Sequence, residues 1–232
     1  MFHSRPGKVG ESRAEIALGV APAVRFTAAR AMSTGAVGRS GLSTAAPAGW
    51  LGEGWRWLHH RGVSLVFRGS EALASGTLTR GQLRWNYRKI HHDIYLPKDA
   101  SRTLRDNIYA AWLWSGRRGV IAGRAAAALH GSKWVDDVTP VELLGPLHHP
   151  PPGVIIRRDR ISPTDVIEMS GLPVTTSVRT AFDMGRHLPR NLAVTHLDAL
   201  AAATRLAEAD VQPLLTRYKG ARGIRLCRMR CV

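Results

Sequence analysis

The chain has 232 residues, 44% of them hydrophobic, which is enough for one or two domains with a real core. Its 33 Lys and Arg against 17 Asp and Glu leave a net charge of +16 and favour an anionic partner such as nucleic acid, anionic lipid or an acidic protein. No apolar stretch approaches the roughly 18–20 residues needed to span a bilayer, so the sequence predicts no membrane protein. The two cysteines, Cys227 and Cys231, stand in a C-x-x-x-C spacing with no histidine after them. They are too few for a structural zinc site and read as reduced thiols of a cytoplasmic protein.

Residues 1–62 are rich in Ala, Gly, Ser and Arg, carry only Glu11, Glu15 and Glu53 as acids, and show no sustained helix or strand period. Three readings compete: an organelle transit peptide, a basic arm that touches DNA, or sequence upstream of the true start near Val63. The last is favoured, and all three predict a disordered extension.

From Phe67 the pattern changes. "FRGSEALASG" predicts a short helix closed by Gly76. In "TLTRGQLRW", Thr79 is followed three residues on by Gln82, the spacing of a capping box. "YRKIHHDIYLP" carries β-favouring Tyr87, Ile90, Ile94 and Tyr95 around a His-His-Asp bend and predicts a hairpin. Two short helices followed by a basic hairpin outline a winged helix-turn-helix at residues 63–100. There Arg80, Gln82 and Arg84 would face base edges, Arg through bidentate bonds to guanine and Gln to adenine. Arg88 and Lys89 would hold phosphates from the wing.

"SRTLRDNIYAAWLWSG" predicts a helix capped by Ser101, with Leu104, Ile108, Ala111 and Trp112 on one face. "RRGVIAG" reads as a strand, "RAAAALHG" as a helix stopped by Gly131, and "PVELLG" and "GVIIRRDRI" as strands, the last including Asp159. "DVIEMSGLPVTT" predicts a hairpin turning at Ser170-Gly171. Three helices follow, in "SVRTAFDMGRHLP", "RNLAVTHLDALAAAT" and "AEADVQPLLTRY". In the first, Val178, Ala181 and Phe182 pack, while Arg179 and Asp183, four apart, pair on its surface. Ala193, Leu197, Leu200 and Ala201 form the apolar face of the second, and Val211, Leu214, Leu215 and Tyr218 that of the third.

The segments "FRGSEALASGTLTRGQLRWNYRKIHHDIYLPKDA", "AAWLWSGRRGVIAGRAAAALHGSKWVDD", "PVELLG" and "LPVTTSVRTAFDMGRHLPRNLAVTHLDALAAAT" resemble a group of mycobacterial proteins related to the AbiEi-type antitoxins of type IV toxin–antitoxin systems. The resemblance runs in order from about Phe67 to Gly223. It implies an N-terminal domain that represses its own operon and a following domain, residues 101–218, with antitoxin function toward a nucleotidyltransferase-like toxin. In longer relatives "GARG" leads into a domain resembling very-short-patch-repair endonucleases. Here the pattern departs at about Leu226, so residues 219–232 read as a truncated or frameshifted tail.

A metal-dependent nuclease needs an Asp and an E-x-K pair on adjacent strands. Glu142 is followed by Leu-Leu, Glu168 by Met-Ser and Glu208 by Ala-Asp, so no acid supplies it. The pairs His59-His60, His91-His92 and His148-His149 read as exposed loop residues, because neighbours on a strand point to opposite faces. His130 reads as a helix-end residue. "GRAAAALHG" lacks both phosphate-loop patterns. The expectation is an α+β protein: an N-terminal winged helix-turn-helix, then a mixed α/β domain with a helical C-terminal part. It is expected to bind DNA without enzymatic activity, cofactor or metal. The alternatives are an inactive remnant of an endonuclease-like protein and a protein-interaction module without DNA affinity.

Overall fold

The computed structural model describes residues 64–229, so the expected extension at 1–62, with His59 and His60, and the terminal Cys231 lie outside the described residues. Within them the protein is mixed α and β, with two sheets and a cluster of C-terminal helices.

The first sheet joins β1 (Phe67–Arg68), β2 (Tyr87–His91) and β3 (Ile94–Pro97) in the antiparallel order β1-β3-β2. Helices α1 (Gly69–Ala74) and α2 (Arg80–Asn86) lie between β1 and β2 in the chain. The Thr79–Gln82 cap forms as expected. Thr79 Oγ1 accepts from the Gln82 amide, and Gln82 Oε1 accepts from the Thr79 amide at 2.9 Å. Helix α1 has no side-chain cap from its own N-terminal residue. Asp93, at the tip of the β2–β3 hairpin, serves instead: its Oδ1 accepts from Ser70 N at 2.8 Å and its carbonyl from Gly69 N at 2.9 Å. The hairpin tip therefore ties off the helix. Gly69 fits there because a Cβ would run into the Tyr95 ring.

Helix α3 (Leu104–Trp114) starts two residues later than expected, with Thr103 rather than Ser101 as its cap. Thr103 and Asp106 satisfy each other's backbone amides, which Ser101 cannot do at its distance from the helix. The helix is apolar on two sides. Ala110 and Leu113 join Ile94 and Leu96 of the first sheet and Val66 just before it, whereas Leu104, Ile108 and Ala111 enter the core of the second. Trp112 is half-buried against both.

The second sheet contains β4 (Val120–Ala122), β5 (Val141–Leu144), β6 (Val154–Arg157), β7 (Val166–Met169) and β8 (Leu172–Thr175), in the order β6-β5-β4-β8-β7. β4–β5 and β7–β8 are antiparallel; β4–β8 and β5–β6 are parallel. The β7–β8 hairpin turns at Ser170 and Gly171, both with positive φ, as a two-residue primed turn requires. β6 ends at Arg157, so Asp159 lies beyond the strand, in the connection to β7. Helix α4 (Gly123–Leu129) leaves β4 and packs Ala125 and Ala126 on Ile121, Val141, Leu143, Leu172 and Val174.

Helices α5 (Ser177–His187), α6 (Arg190–Thr204) and α7 (Glu208–Arg217) match the three expected, and a fourth, α8 (Ile224–Arg228), follows. Phe182, Met184, Ala193, Leu200, Val211, Leu214, Leu215 and Cys227 form one core among them. Thr176 caps α5, and Leu197 and Tyr218 are half-buried against this core. The chain enters α8 through Gly223, at φ +79° and so close to the Arg186 carbonyl that a Cβ would lie 2.7 Å from its oxygen. The stretch read as a tail thus packs Cys227 fully inside.

Gly123 opens α4 at φ +58°, and a Cβ there would overlap the Glu142 carboxylate, which is buried and bonded to Arg157 Nε at 2.8 Å. Gly123→Ala is expected to destabilise the fold by about 1–3 kcal/mol, read as a lower urea midpoint with an unchanged slope.

Candidate nucleic-acid interface

The five residues assigned to DNA by their sequence separate into three groups. Arg80 and Arg84 are exposed on α2, whose inner side is held by buried Leu83. Gln82 is exposed as well, but its side-chain oxygen is committed to the Thr79 cap. Its acceptor is therefore not available for the bidentate adenine contact. Arg88 and Lys89 are consecutive on β2 and point to opposite faces. Arg88 pairs across the hairpin with Leu96, on the face that packs against α3, and its Nη2 donates to the Ala100 carbonyl at 2.8 Å. Lys89 pairs with Tyr95, whose ring lies over Gly69 on the side of α1 and α2. Arg80, Arg84 and Lys89 consequently share one side of the unit, and Arg88 belongs to the other.

Two further residues belong with this group. Lys98 Nζ donates to the Arg84 carbonyl at 3.1 Å, placing a cation at the C-terminal end of α2, where the helix dipole favours it. Trp85, on the outer side of α2, is 72% exposed, with the Arg84 guanidinium 5.9 Å from its ring centroid. The "RW" pair carried no signal of exposure, since tryptophan in an apolar pattern ordinarily reads as core. Between Glu71 and Asp93 the chain has no carboxylate, so the run that carries Arg80, Arg84 and Lys89 supplies no acid of its own.

A second concentration of charge lies inside the protein. Arg179 and Asp183 pair at 2.9 Å as the spacing predicts, but not on the surface: both are almost completely buried. Arg179 Nη1 also reaches Asp165 at 3.3 Å and the Arg160 carbonyl at 3.0 Å. Arg186 Nη2 bonds Asp183 Oδ1 at 2.8 Å and Asp159 Oδ2 at 2.5 Å, and its Nη1 donates to the Arg222 carbonyl at 2.9 Å. Tyr218 donates to Asp165 at 2.6 Å, with the Arg179 guanidinium 4.9 Å from its ring centroid. Burial opposes the charge of Arg179, but its carboxylate partners, Asp183 first, raise its pKa.

Among the described residues, Asp159, Asp183 and His187 have ligand atoms within 4.8 Å of one another, close enough to suggest a metal site. The geometry argues for an ion-pair network. Arg186 Nη2 already bonds both carboxylates, so a cation placed there would meet a like charge that has no other place to go. The hydrogen bond with His187, and then the charge of Arg186, hold the Asp159 carboxyl far below the usual carboxylate range, against the opposing effect of burial.

Of the histidine pair on the hairpin, His92 is exposed as expected but His91 is not. It faces Ile94 in the first core, and burial, aided by Arg102, lowers its pKa. His148 and His149 are both exposed. His130 ends α4 and bonds the Thr175 carbonyl at 2.8 Å. A shallow depression lined by Trp114, Ser115, Arg118, Leu147 and His148 offers one hydroxyl, and Ser115 Oγ is already tied to Trp112 O and Gly119 N. No helix among the described residues is long and apolar enough to cross a membrane. No protein-family model matches the chain, and a search of curated proteins finds no significant relative.

Asp183→Ala would leave two buried guanidinium groups short of a counter-charge and is expected to cost roughly 3–5 kcal/mol, measurable by chemical denaturation. The folded pKa of Asp159 lies below its ordinary value of 3.8, so on acidification the unfolded chain takes up the proton first. The stability that Asp159 contributes is complete well above that value and is lost as pH falls through and below it. Asp159→Asn should flatten this acid limb in denaturation curves taken at stepped pH, with little change in the shape of the curve near neutrality.

Proposed function

We propose that residues 63–100 are a winged-helix DNA-binding unit, with α2 as the presented helix and the β2–β3 hairpin as the wing. The observation that carries this reading is the carboxylate-free run from Ala72 to His92, which exposes Arg80, Arg84 and Lys89 on one side of a helix–hairpin unit. Three cations so placed suit a phosphate backbone. With Gln82 bound in its own cap and α2 only seven residues long, backbone contact outweighs readout of base edges. The resemblance to AbiEi-type antitoxins extends the proposal to a cytoplasmic, non-enzymatic autoregulator. In that reading residues 101–218 form the partner domain for a cognate nucleotidyltransferase-like toxin.

Gel-shift and anisotropy titrations of the full chain against its own promoter test the proposal. Affinity should fall steeply with salt. Arg80→Ala, Arg84→Ala and Lys89→Ala should each weaken binding on any sequence and reduce the salt slope by about one. Arg88→Ala, on the other face, should do so less. A folded protein with no salt-sensitive shift would refute the reading.

A further inference from the structure

We propose that the indole of Trp85 is a stacking platform for an unpaired nucleobase, so that this face takes single-stranded or locally opened DNA in preference to intact duplex. The inference rests on the reading of α2 and β2 as the nucleic-acid face and names what that face holds besides phosphate.

The local geometry leaves most of the indole in solvent. Leu83 fixes the inner side of α2, which puts Gly81 and Trp85, four residues apart, on the outer side. Side chains on a helix lean back toward its N-terminus and over the residue one turn earlier. For Trp85 that residue is Gly81, which has no side chain, and a Cβ built there would meet only Thr79 Oγ1, at 3.9 Å. Gly81 therefore contributes no side chain that could lie against the ring. Tryptophan ordinarily buries most of its large apolar area, yet here 72% of the residue faces solvent.

The surroundings indicate which planar group suits the ring. Arg84 lies beside it, Arg80 is one turn before Arg84 on the same helix, and Lys89 is exposed on the hairpin face that carries α1 and α2. An apolar plane bordered by cations, with no carboxylate from Ala72 to His92, matches a base attached to a phosphate chain. A duplex covers the faces of its bases and presents only edges in the grooves, whereas an opened strand presents the faces. The weak edge-reading capacity of α2 points the same way, since the Gln82 oxygen is already bonded.

The test uses the full chain with a labelled single strand, the same sequence as duplex, and that duplex with a central unpaired bubble, all at one salt concentration. Wild type should bind the single strand and the bubble more tightly than the duplex. Trp85→Ala should weaken binding to those two about tenfold, the scale of one stacked base, and barely change duplex binding. Trp85→Phe should recover most of the loss, and circular dichroism should show all three proteins equally folded. The proposal is overturned if Trp85→Ala changes all three affinities alike or leaves the single-strand and bubble affinities unchanged. If wild type binds none of the three, the assignment of the face to nucleic acid fails as well, and the two failures are told apart.

Discussion

Two arginines almost without contact with water hold the C-terminal half of the described fold together. Arg179 and Arg186 lie two turns apart on α5, with Asp183 between them and bonded to both. Beyond the helix their partners are Asp159, Arg160 and Asp165 from the β6–β7 connection, and the Arg222 carbonyl from the approach to α8. Arg179 Nη2 and Arg186 Nε make no hydrogen bond. Their guanidinium groups lie instead near aromatic rings, of Tyr218 at 4.9 Å and Phe182 at 4.7 Å. A buried charge is costly unless it is paired and bonded. Helix α5 is therefore comfortable inside only when the connection before it and the helices after it are in place. The network is a constraint on arrangement more than a large reserve of stability.

What could be read from the sequence was local. The Thr79–Gln82 cap, the Ser170-Gly171 turn, the His-His-Asp bend and the stripes of α6 and α7 depend on residues a few positions apart, and short-range geometry decides them. Burial was harder to read. An Arg and an Asp four apart pair equally well on a surface or in a core, so the sequence of α5 gave no warning that Arg179 is inside. The two apolar sides of α3 looked like one, because "AAWLW" has too few polar residues to mark a boundary between them. His91 looked exposed by its company, although its place beside Ile94 is set by hairpin register.

The basic face was legible as composition and misjudged as geometry. The same T-x-x-Q spacing that announced the start of α2 also engaged Gln82, so one residue could not serve fully as both cap and base reader. The alternation of a strand separates Arg88 from Lys89 whatever the fold, but only the packing of β3 shows which of them shares a side with α2. Trp85 has no local signal of this kind. Its exposure follows from the position of Leu83 on a short helix, and no property of tryptophan itself reveals it.

Helix α3 gives one flank to each of two cores, with Ala110 and Leu113 in the first and Leu104, Ile108 and Ala111 in the second. Glu71 on α1 and Arg117 just after α3 add a two-pronged pair across the same junction, at 2.7 and 2.8 Å. The helix–hairpin unit and the five-stranded sheet consequently share a structural member that neither can lose alone. By mass action, a ligand that binds only the folded hairpin unit also adds to the stability of the sheet behind it. Occupancy at one end of the described fold would bear on order at the other through α3, eleven residues long, and the Glu71–Arg117 pair beside it.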